Sequence, residues 1–455
     1  MGQLTLRHLF ILLFIFSAIR AFAQPVSITI KNSSDTTAYL FSLRGEEADP
    51  VDSVKSTKPG VFSFDGIKLH RGFYRLSAGK NKFVDFVFDK DEITLSTEAS
   101  HVADSMIVLK SESNRLYYEF LRLTKEYKTK SELLRLVISR YPPNDDYYRQ
   151  TKKHLDRIQE DYLYFANVTA QKNEELFIAK YIRSAHLPVI PPDLQPNKEL
   201  DYLKAHALDN INFYTPELIY SDLFSARSIE YLTYFRNPQL PLELLEKEFT
   251  KAIDSILNRA KVNETVYTHI VEYLIGGFKK FGFENVLNYI VNNYVIKDGL
   301  CLNEKDGSST QRMINQNKFL PTGALAPRVT LPDGEGMTKD ISKIGSGKIL
   351  LVFYASWCPH CKTVLPEING MVTELKRKNI APVAISLDTD KDEWKKFTKE
   401  NCPNLTNISD LKGWDGKAAT DYYIYATPTM FLIDGENKII AKPKSVEDLR
   451  SFLSD

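Results

Sequence analysis

Cys358 and Cys361 stand three positions apart in Trp357-Cys358-Pro359-His360-Cys361, a spacing at which two thiols can close a disulfide or share a metal. Directly before them, Lys348-Ile349-Leu350-Leu351-Val352-Phe353-Tyr354 is a run of the kind a buried strand shows. After them, Val364, Leu365, Ile368, Met371, Val372 and Leu375 recur at helical spacing. Strand, C-x-x-C and helix in that order place Cys358 at a helix N-terminus. Unpaired N–H groups and the helix dipole stabilise a thiolate there, so its pKa should fall below about 8.5. The expected chemistry is redox, with an exposed first thiol that attacks and a shielded second thiol that closes the disulfide. The alternatives are a zinc knuckle or an inert disulfide, and zinc would need a second ligand pair, which does not occur nearby. No metal is expected, and no cofactor beyond the Cys358–Cys361 pair itself.

Two other cysteines complete the four in 455 residues. Cys301 follows the helical region in a polar loop, and Cys402 follows a helix that ends near Glu400. In an oxidising compartment they pair with each other or remain free thiols, and geometry decides between the two. The histidines His70, His101, His154, His186, His206 and His269 are scattered singly, without a ligand spacing.

From about Gly323 to Asp455 the chain resembles the thioredoxin superfamily. Trp357 stands where those proteins carry a Trp before the first Cys, Lys362 follows the second, and Pro366 occupies the helix-kinking position. Tyr425-Ala426-Thr427-Pro428-Thr429 is similar to the cis-proline loop of the family. The resemblance implies a cis Pro428 that packs against the active-site Cys, Thr427 and Pro428 holding a substrate backbone, and Trp357 shielding one side of the site. Pro359 and His360 form the pair found in strongly oxidising DsbA-type proteins. A His beside the thiolate stabilises the reduced form and raises the reduction potential. The leader Gly323-Ala324-Leu325-Ala326-Pro327, before a strand at Val329 to Leu331, resembles the exported TlpA-like thiol-disulfide oxidoreductases. Two positions depart from the pattern. Val352 replaces the buried Asp of many thioredoxins and Val364 the Glu of some TlpA-like proteins, so deprotonation of Cys361 falls to water or another group.

The elements that must position this site follow from pattern. Residues 381–387 read as the next strand and 392–400 as a helix. Strands at 430–433 and 438–441 flank a turn at Asp434-Gly435, and Ser445 with Asp448 opens a final helix as a capping box. Upstream, residues 24–105 alternate with period two, as in Phe83-Val84-Asp85-Phe86-Val87-Phe88. Pro59-Gly60, Asp65-Gly66, Arg71-Gly72 and Lys90-Asp91 punctuate these runs, which predicts a small all-β domain, a sandwich or open barrel. Residues 106–320 change to helical period, broken by Pro142-Pro143 and by prolines from Pro188 to Pro196, and predict an all-α middle domain rich in Tyr and Phe. Both regions resemble, more loosely, the β-rich and helical domains that precede such a module in proteins of Bacteroidetes. The fold expected is therefore multidomain, with a carboxy-terminal α/β thioredoxin-like domain at 321–455.

Residues 1–23 have a basic start (Arg7, His8), an apolar run from Leu9 to Phe16 and a small-residue exit at Ala21-Phe22-Ala23, the layout of a secretory signal peptide. The run is shorter than the roughly 20 residues a membrane span needs, so none is expected after cleavage. Of 59 basic residues, Arg7 and Arg20 leave with it; 57 against 58 acids is a net charge of −1, which argues against nucleic-acid binding. The expectation is an exported thiol-disulfide oxidoreductase, in the periplasm or envelope of a Gram-negative bacterium, exchanging with protein dithiols or disulfides and with an upstream redox partner. Two readings stand beside it. A thiol peroxidase would usually carry Thr or Ser where Ala355 stands and Pro where Leu351 stands. The other is an envelope binding protein whose thioredoxin part is mainly structural.

Overall fold

A computed structural model describes residues 25–66, 68–79, 82–300, 302, 308–344 and 347–454. The expected leader at 1–23 and Cys301 lie outside the described residues. The chain packs as two compact units, one ending at Leu287 and the other beginning at Asn288.

In the first unit the period-two runs form β1 (Pro25–Lys31), β2 (Thr37–Arg44), β3 (Glu47–Lys55), β4 (Val61–Asp65), β5 (Gly72–Ala78), β6 (Phe83–Phe88), β7 (Ile93–Glu98) and β8 (Ile107–Lys110). They make two four-stranded sheets of order β4-β1-β7-β8 and β3-β2-β5-β6. Val26, Ile28 and Ile30 of β1, Leu40 of β2, Phe62 of β4, Leu76 of β5 and Phe86 of β6 join in one core. The domain is thus a sandwich rather than an open barrel, and burying each such side chain contributes about 1.5–3 kcal/mol. At the Pro59-Gly60 turn, Gly60 has φ +74°, and a Cβ there would sit 2.3 Å from the Ile30 carbonyl oxygen, so only glycine fits. Strand β8 pairs with β7 beyond Ser105, where the sequence period was expected to change; Ile107 and Leu109 are both exposed, and the short edge strand shows no clear alternation.

Seven longer helices follow: α1 (Glu112–Ile138), α2 (Asp146–Tyr164), α3 (Phe177–Ala185), α4 (Pro196–His206), α5 (Leu223–Thr233), α6 (Leu242–Ala260) and α7 (Glu264–Lys280). Buried Asp89, just after β6, accepts hydrogen bonds from Ser113 Oγ of α1 (2.9 Å) and from the Phe177 backbone of α3 (2.6 Å). A carboxylate at two helix N-termini is favoured by their free N–H groups, and it ties the sandwich to the helices. Tyr117, Tyr162, Phe165 and Tyr231 are core, whereas Tyr147 and Tyr164 face solvent. His269 is a structural histidine. Its Nδ1 accepts from Arg44 Nε at 3.3 Å, and burial, with the nearby Arg44 charge, holds its pKa down to about 4.

The second unit contains α8 (Ser309–Phe319), β9 (Thr330–Pro332), β10 (Thr338–Asp340), β11 (Lys348–Tyr354), α9 (Pro359–Gly370), α10 (Val372–Arg377), β12 (Ile380–Ser386), α11 (Lys391–Asn401), β13 (Thr406–Ile408), α12 (Lys417–Asp421), β14 (Thr429–Ile433), β15 (Ile439–Ala441) and α13 (Val446–Ser454). Five strands form one sheet of order β13-β12-β11-β14-β15. Strands β11, β12 and β13 are parallel, while β14 runs antiparallel to β11 and β15 to β14. Central β11 is buried along Ile349–Tyr354, which explains its uninterrupted apolar run. Pro366 lies inside α9, where it lacks the N–H that would continue the ladder. The last helix opens as expected with Ser445 Oγ accepting from Asp448 N at 3.1 Å, but the Asp448 carboxylate reaches back to Lys444 N rather than to Ser445. Met313 and Ile314 of helix α8 are buried, and Leu320 just after it joins the core of this unit. Its Gln316 Nε2 donates to the Tyr422 carbonyl at 3.0 Å, and Arg312 Nη1 to the Trp414 carbonyl at 2.8 Å. Packing therefore assigns 288–320 to the carboxy-terminal unit, although its helical period had grouped it with the middle domain.

Candidate active site

The dithiol sits where β11 gives way to α9, at the carboxyl end of a parallel strand, where open α/β sheets place their sites. Cys358 is the N-cap of α9, with φ −82° and ψ 119°, and Pro359 follows at the first helical position, where a missing N–H costs nothing. The Cys358 backbone N–H donates to the Ala355 carbonyl at 3.2 Å, closing a tight turn. Its Sγ accepts from the Cys361 backbone N–H at 3.4 Å, so a sulfur takes the place of the usual capping oxygen.

The second wall of the site is the loop before β14. The Thr427–Pro428 peptide is cis, as the resemblance implied. The Cys358 thiol donates to the Thr427 carbonyl at 3.2 Å, and Thr429 Oγ1 donates to the Ala426 carbonyl at 2.7 Å, bracing the loop from within. This loop corrects one expectation: Cys358 is 5% exposed, not open to solvent, because the carbonyl edge of Thr427 lies against it. Cys361 is fully buried, and both thiols are free.

Their electrostatics differ. For Cys358, burial pulls the pKa up, but the hydrogen bonds its sulfur accepts, from the Cys361 side chain and from the Cys361 and His360 backbone, outweigh it, leaving the thiol below its ordinary value. Burial, reinforced by the hydrogen bond to Cys358, pushes Cys361 up to about 12. One thiol is thus poised to ionise and the other to keep its proton.

Of the remaining expected residues, Pro359 and His360 lie on the surface. Trp357 is 55% exposed, its ring 6.3 Å from that of Trp414. Cys402 lies apart from the dithiol and is fully buried. Its Sγ donates to Asn407 Oδ1 at 3.4 Å, and burial pushes its pKa up to about 12. It is a free thiol here. Among the described residues no cluster of three or more His, Cys, Asp or Glu is placed to hold a metal ion. A cavity of about 270 Å³ lined by Lys348, Asn379, Ile380 and Asn404 opens at the opposite, amino ends of β11 and β12, away from the thiols.

Sequence reasoning missed Asp388. Only 2% exposed, it stands just past β12 and accepts from Ser356 N at 3.0 Å, from Ser356 Oγ at 2.7 Å and from Ser386 Oγ at 2.6 Å. The available signal was a Ser-Leu-Asp step ending an apolar strand, next in the sheet to the one that carries the thiols. Trp414 was missed as well, because its approach to Trp357 is set by the fold alone.

The profile of the AhpC/TSA family matches residues 322–442, and that of a domain of unknown function, DUF4369, matches residues 25–131. The thiol-disulfide oxidoreductase ResA of Bacillus cereus is 26% identical over 146 residues, which cover 31% of this chain and 83% of that protein. Among solved structures, the C-terminal domain of a putative thiol-disulfide oxidoreductase from Bacteroides thetaiotaomicron is 29% identical, with 29% of this chain and 93% of that one covered and a TM-score of 0.28. A thiol-disulfide oxidoreductase from Bacteroides fragilis is 30% identical, with 29% and 97% covered and a TM-score of 0.27.

Proposed function

The carboxy-terminal domain belongs to the thioredoxin superfamily as a TlpA-like thiol-disulfide oxidoreductase, and from that premise we propose that this chain exchanges disulfides with exported protein substrates through Cys358-Pro359-His360-Cys361. The observation that carries the proposal is the asymmetry of the pair. Cys358 caps a helix with a lowered pKa, and Cys361 lies buried behind it with its pKa raised to about 12.

In the reducing direction the Cys358 thiolate attacks one sulfur of a substrate disulfide. The substrate S–S bond breaks, its second sulfur leaves as a thiolate that takes up a proton, and a mixed disulfide forms. Cys361 then loses its proton to water or another group and attacks Cys358 Sγ. The mixed disulfide breaks, the substrate leaves as a dithiol, and Cys358–Cys361 is oxidised by two electrons, which an upstream redox partner returns. The reverse sequence oxidises a substrate dithiol. Thr427 and Pro428 hold the substrate backbone beside Cys358, Trp357 shields one side, and Pro359 and His360 set the potential. No cofactor enters either direction.

The leader at 1–23 would deliver the chain to the periplasm or envelope, an oxidising compartment where such exchange is useful. No helix among the described residues is long and apolar enough to cross a membrane. The β and helical regions of the first unit, up to Leu287, would choose the partner without entering the chemistry. In cells expressing Cys361→Ser, the mixed disulfide cannot resolve, so disulfide-linked partners should accumulate and disappear on adding Cys358→Ser. A Cys361→Ser chain that captures no partner while its Cys358 stays reactive would refute the mechanism.

A further inference from the structure

We infer that Asp388 is a positioning residue for Cys358, a role that rests on the dithiol chemistry proposed above. Three donor groups converge on its carboxylate. Ser356 N–H lies 3.0 Å from Oδ1 and 3.2 Å from Oδ2, Ser356 Oγ 2.7 Å from Oδ1, and Ser386 Oγ 2.6 Å from Oδ2. A carboxylate offers two acceptor oxygens to these three donors, whereas asparagine offers one and keeps the other contact only if a serine hydroxyl turns to accept from its amide N–H. The group is 2% exposed, and its hydrogen-bond partners include no side-chain cation. Burying a carboxylate on neutral donors alone is costly and calls for a return elsewhere in the molecule.

The return lies in what Ser356 carries. It is the second residue before Cys358, inside the turn that the Cys358 N–H closes onto the Ala355 carbonyl. Fixing the Ser356 peptide fixes where α9 begins, and so where Cys358 Sγ meets the Cys361 N–H at 3.4 Å and the Thr427 carbonyl at 3.2 Å. The clamp is itself anchored across the sheet. Ser409 Oγ, just past β13, donates to the Ser386 carbonyl at 3.0 Å, and Leu387 N–H to the Tyr354 carbonyl at 2.8 Å. The carboxyl ends of β11, β12 and β13 are thereby laced together with Asp388 at the centre. Its contribution to the thiolate runs through geometry, by holding the N–H donors of α9 onto the sulfur.

The test follows alkylation of Cys358 by iodoacetamide over about pH 4 to 9 in the full chain, with the modified residue identified by mass spectrometry. Equilibration of the dithiol with glutathione runs alongside. In Asp388→Ala the alkylation midpoint should move to higher pH and the rate near pH 6 fall about threefold to tenfold. The glutathione equilibrium should move by the same factor toward the disulfide, a tenfold shift being about 30 mV of lower potential. Asp388→Asn retains one acceptor oxygen and should fall between Ala and the native chain. A native midpoint and potential in Asp388→Ala, even with a lower melting temperature, would make the residue merely structural and overturn the inference. Should both variants fail to fold, Ser386→Ala decides the question: it loosens the clamp from one side, should shift the midpoint the same way by less, and overturns the inference if it shifts nothing. An ordinary free-thiol midpoint in the native chain would instead overturn the dithiol reading itself.

Discussion

The sulfur of Cys358 accepts a hydrogen bond from the backbone N–H of Cys361 at 3.4 Å, so the two thiols are joined through the helix cap before any disulfide forms. The residue that would later attack this sulfur already stabilises its thiolate.

The first expected outcome concerns which thiol reacts. With Cys358 lowered and Cys361 and Cys402 each pushed up to about 12, alkylation of the native reduced chain near neutral pH should modify Cys358 and neither Cys361 nor Cys402, and should do so faster than a free thiol. The other two should become reactive only on unfolding. Peptide mass mapping after timed alkylation checks this, and comparable labelling of Cys402 in the native chain would contradict the buried placement.

Stability of the reduced form should also bend with pH. Above the ordinary thiol value of 9.0, Cys361 and Cys402 keep their protons in the folded chain and lose them in the unfolded one. The folded state then binds more protons, so stability falls as pH rises from about 9 toward 12, by up to about 1.4 kcal/mol per pH unit for each thiol. Cys358 acts oppositely. Its depressed value favours the folded state above 9.0 and loses that advantage as pH falls through its folded pKa. Denaturant melts of the reduced chain at several alkaline pH values should show the decline, and Cys402→Ala should remove that thiol's share of it between about pH 9 and 10, below the range where buried tyrosines such as Tyr354 and Tyr422, also raised, add theirs.

Tyr354 offers a third measurement. Its hydroxyl accepts from the buried Trp394 indole N–H at 3.0 Å and lies 3.2 Å from both Thr398 Oγ1 and Asn407 Oδ1. Tyr354→Phe leaves the indole donor without this acceptor and should cost about 1–3 kcal/mol in urea unfolding of the reduced chain. The alkylation midpoint of Cys358 should barely move, because these contacts lie among Trp394, Thr398 and Asn407 rather than at the thiol turn. A large midpoint shift would mean that the network reaches the active site.

A fourth outcome concerns where the carboxy-terminal unit begins. A piece starting at residue 321 loses Leu320 from the core and, with α8, the Gln316 and Arg312 bonds to the Tyr422 and Trp414 carbonyls. Its melting temperature should be at least about 5 °C below that of a piece starting at Ser308, since each lost apolar side chain is worth about 1.5–3 kcal/mol. Insulin-disulfide reduction by the longer piece should match the full chain if the upstream domains only choose the partner. Equal melting of the two pieces would show that α8 is ornamental.

Much of this was readable from local pattern. The run ending at Tyr354, the cysteine pair and the apolar periodicity after Cys361 lie within one stretch of chain, and β11 and α9 appear there as expected. What escaped was built from residues distant in sequence. Ser356 and Asp388 are 32 positions apart, and the carbonyl that covers Cys358 comes from a residue 69 positions away. Periodicity reports which face of an element is buried but not which loop will cover its end, so Cys358 was expected to be open. The same limit placed 288–320 with the helical domain, since a helical period does not reveal which core the helix joins. Within the Tyr-rich helical region Tyr147 and Tyr164 face water while Tyr117 and Tyr162 are core, because tyrosine is amphipathic enough to stand on either side.

The 5% exposure of Cys358 sets a condition on whatever reacts with it. Attack on a disulfide needs the three sulfurs nearly in line, and the Thr427 carbonyl and the first turn of α9 already occupy two sides of that line. In the proposed exchange, that crowding would favour a cystine carried on a slender, projecting strand of chain over one sunk in a fold.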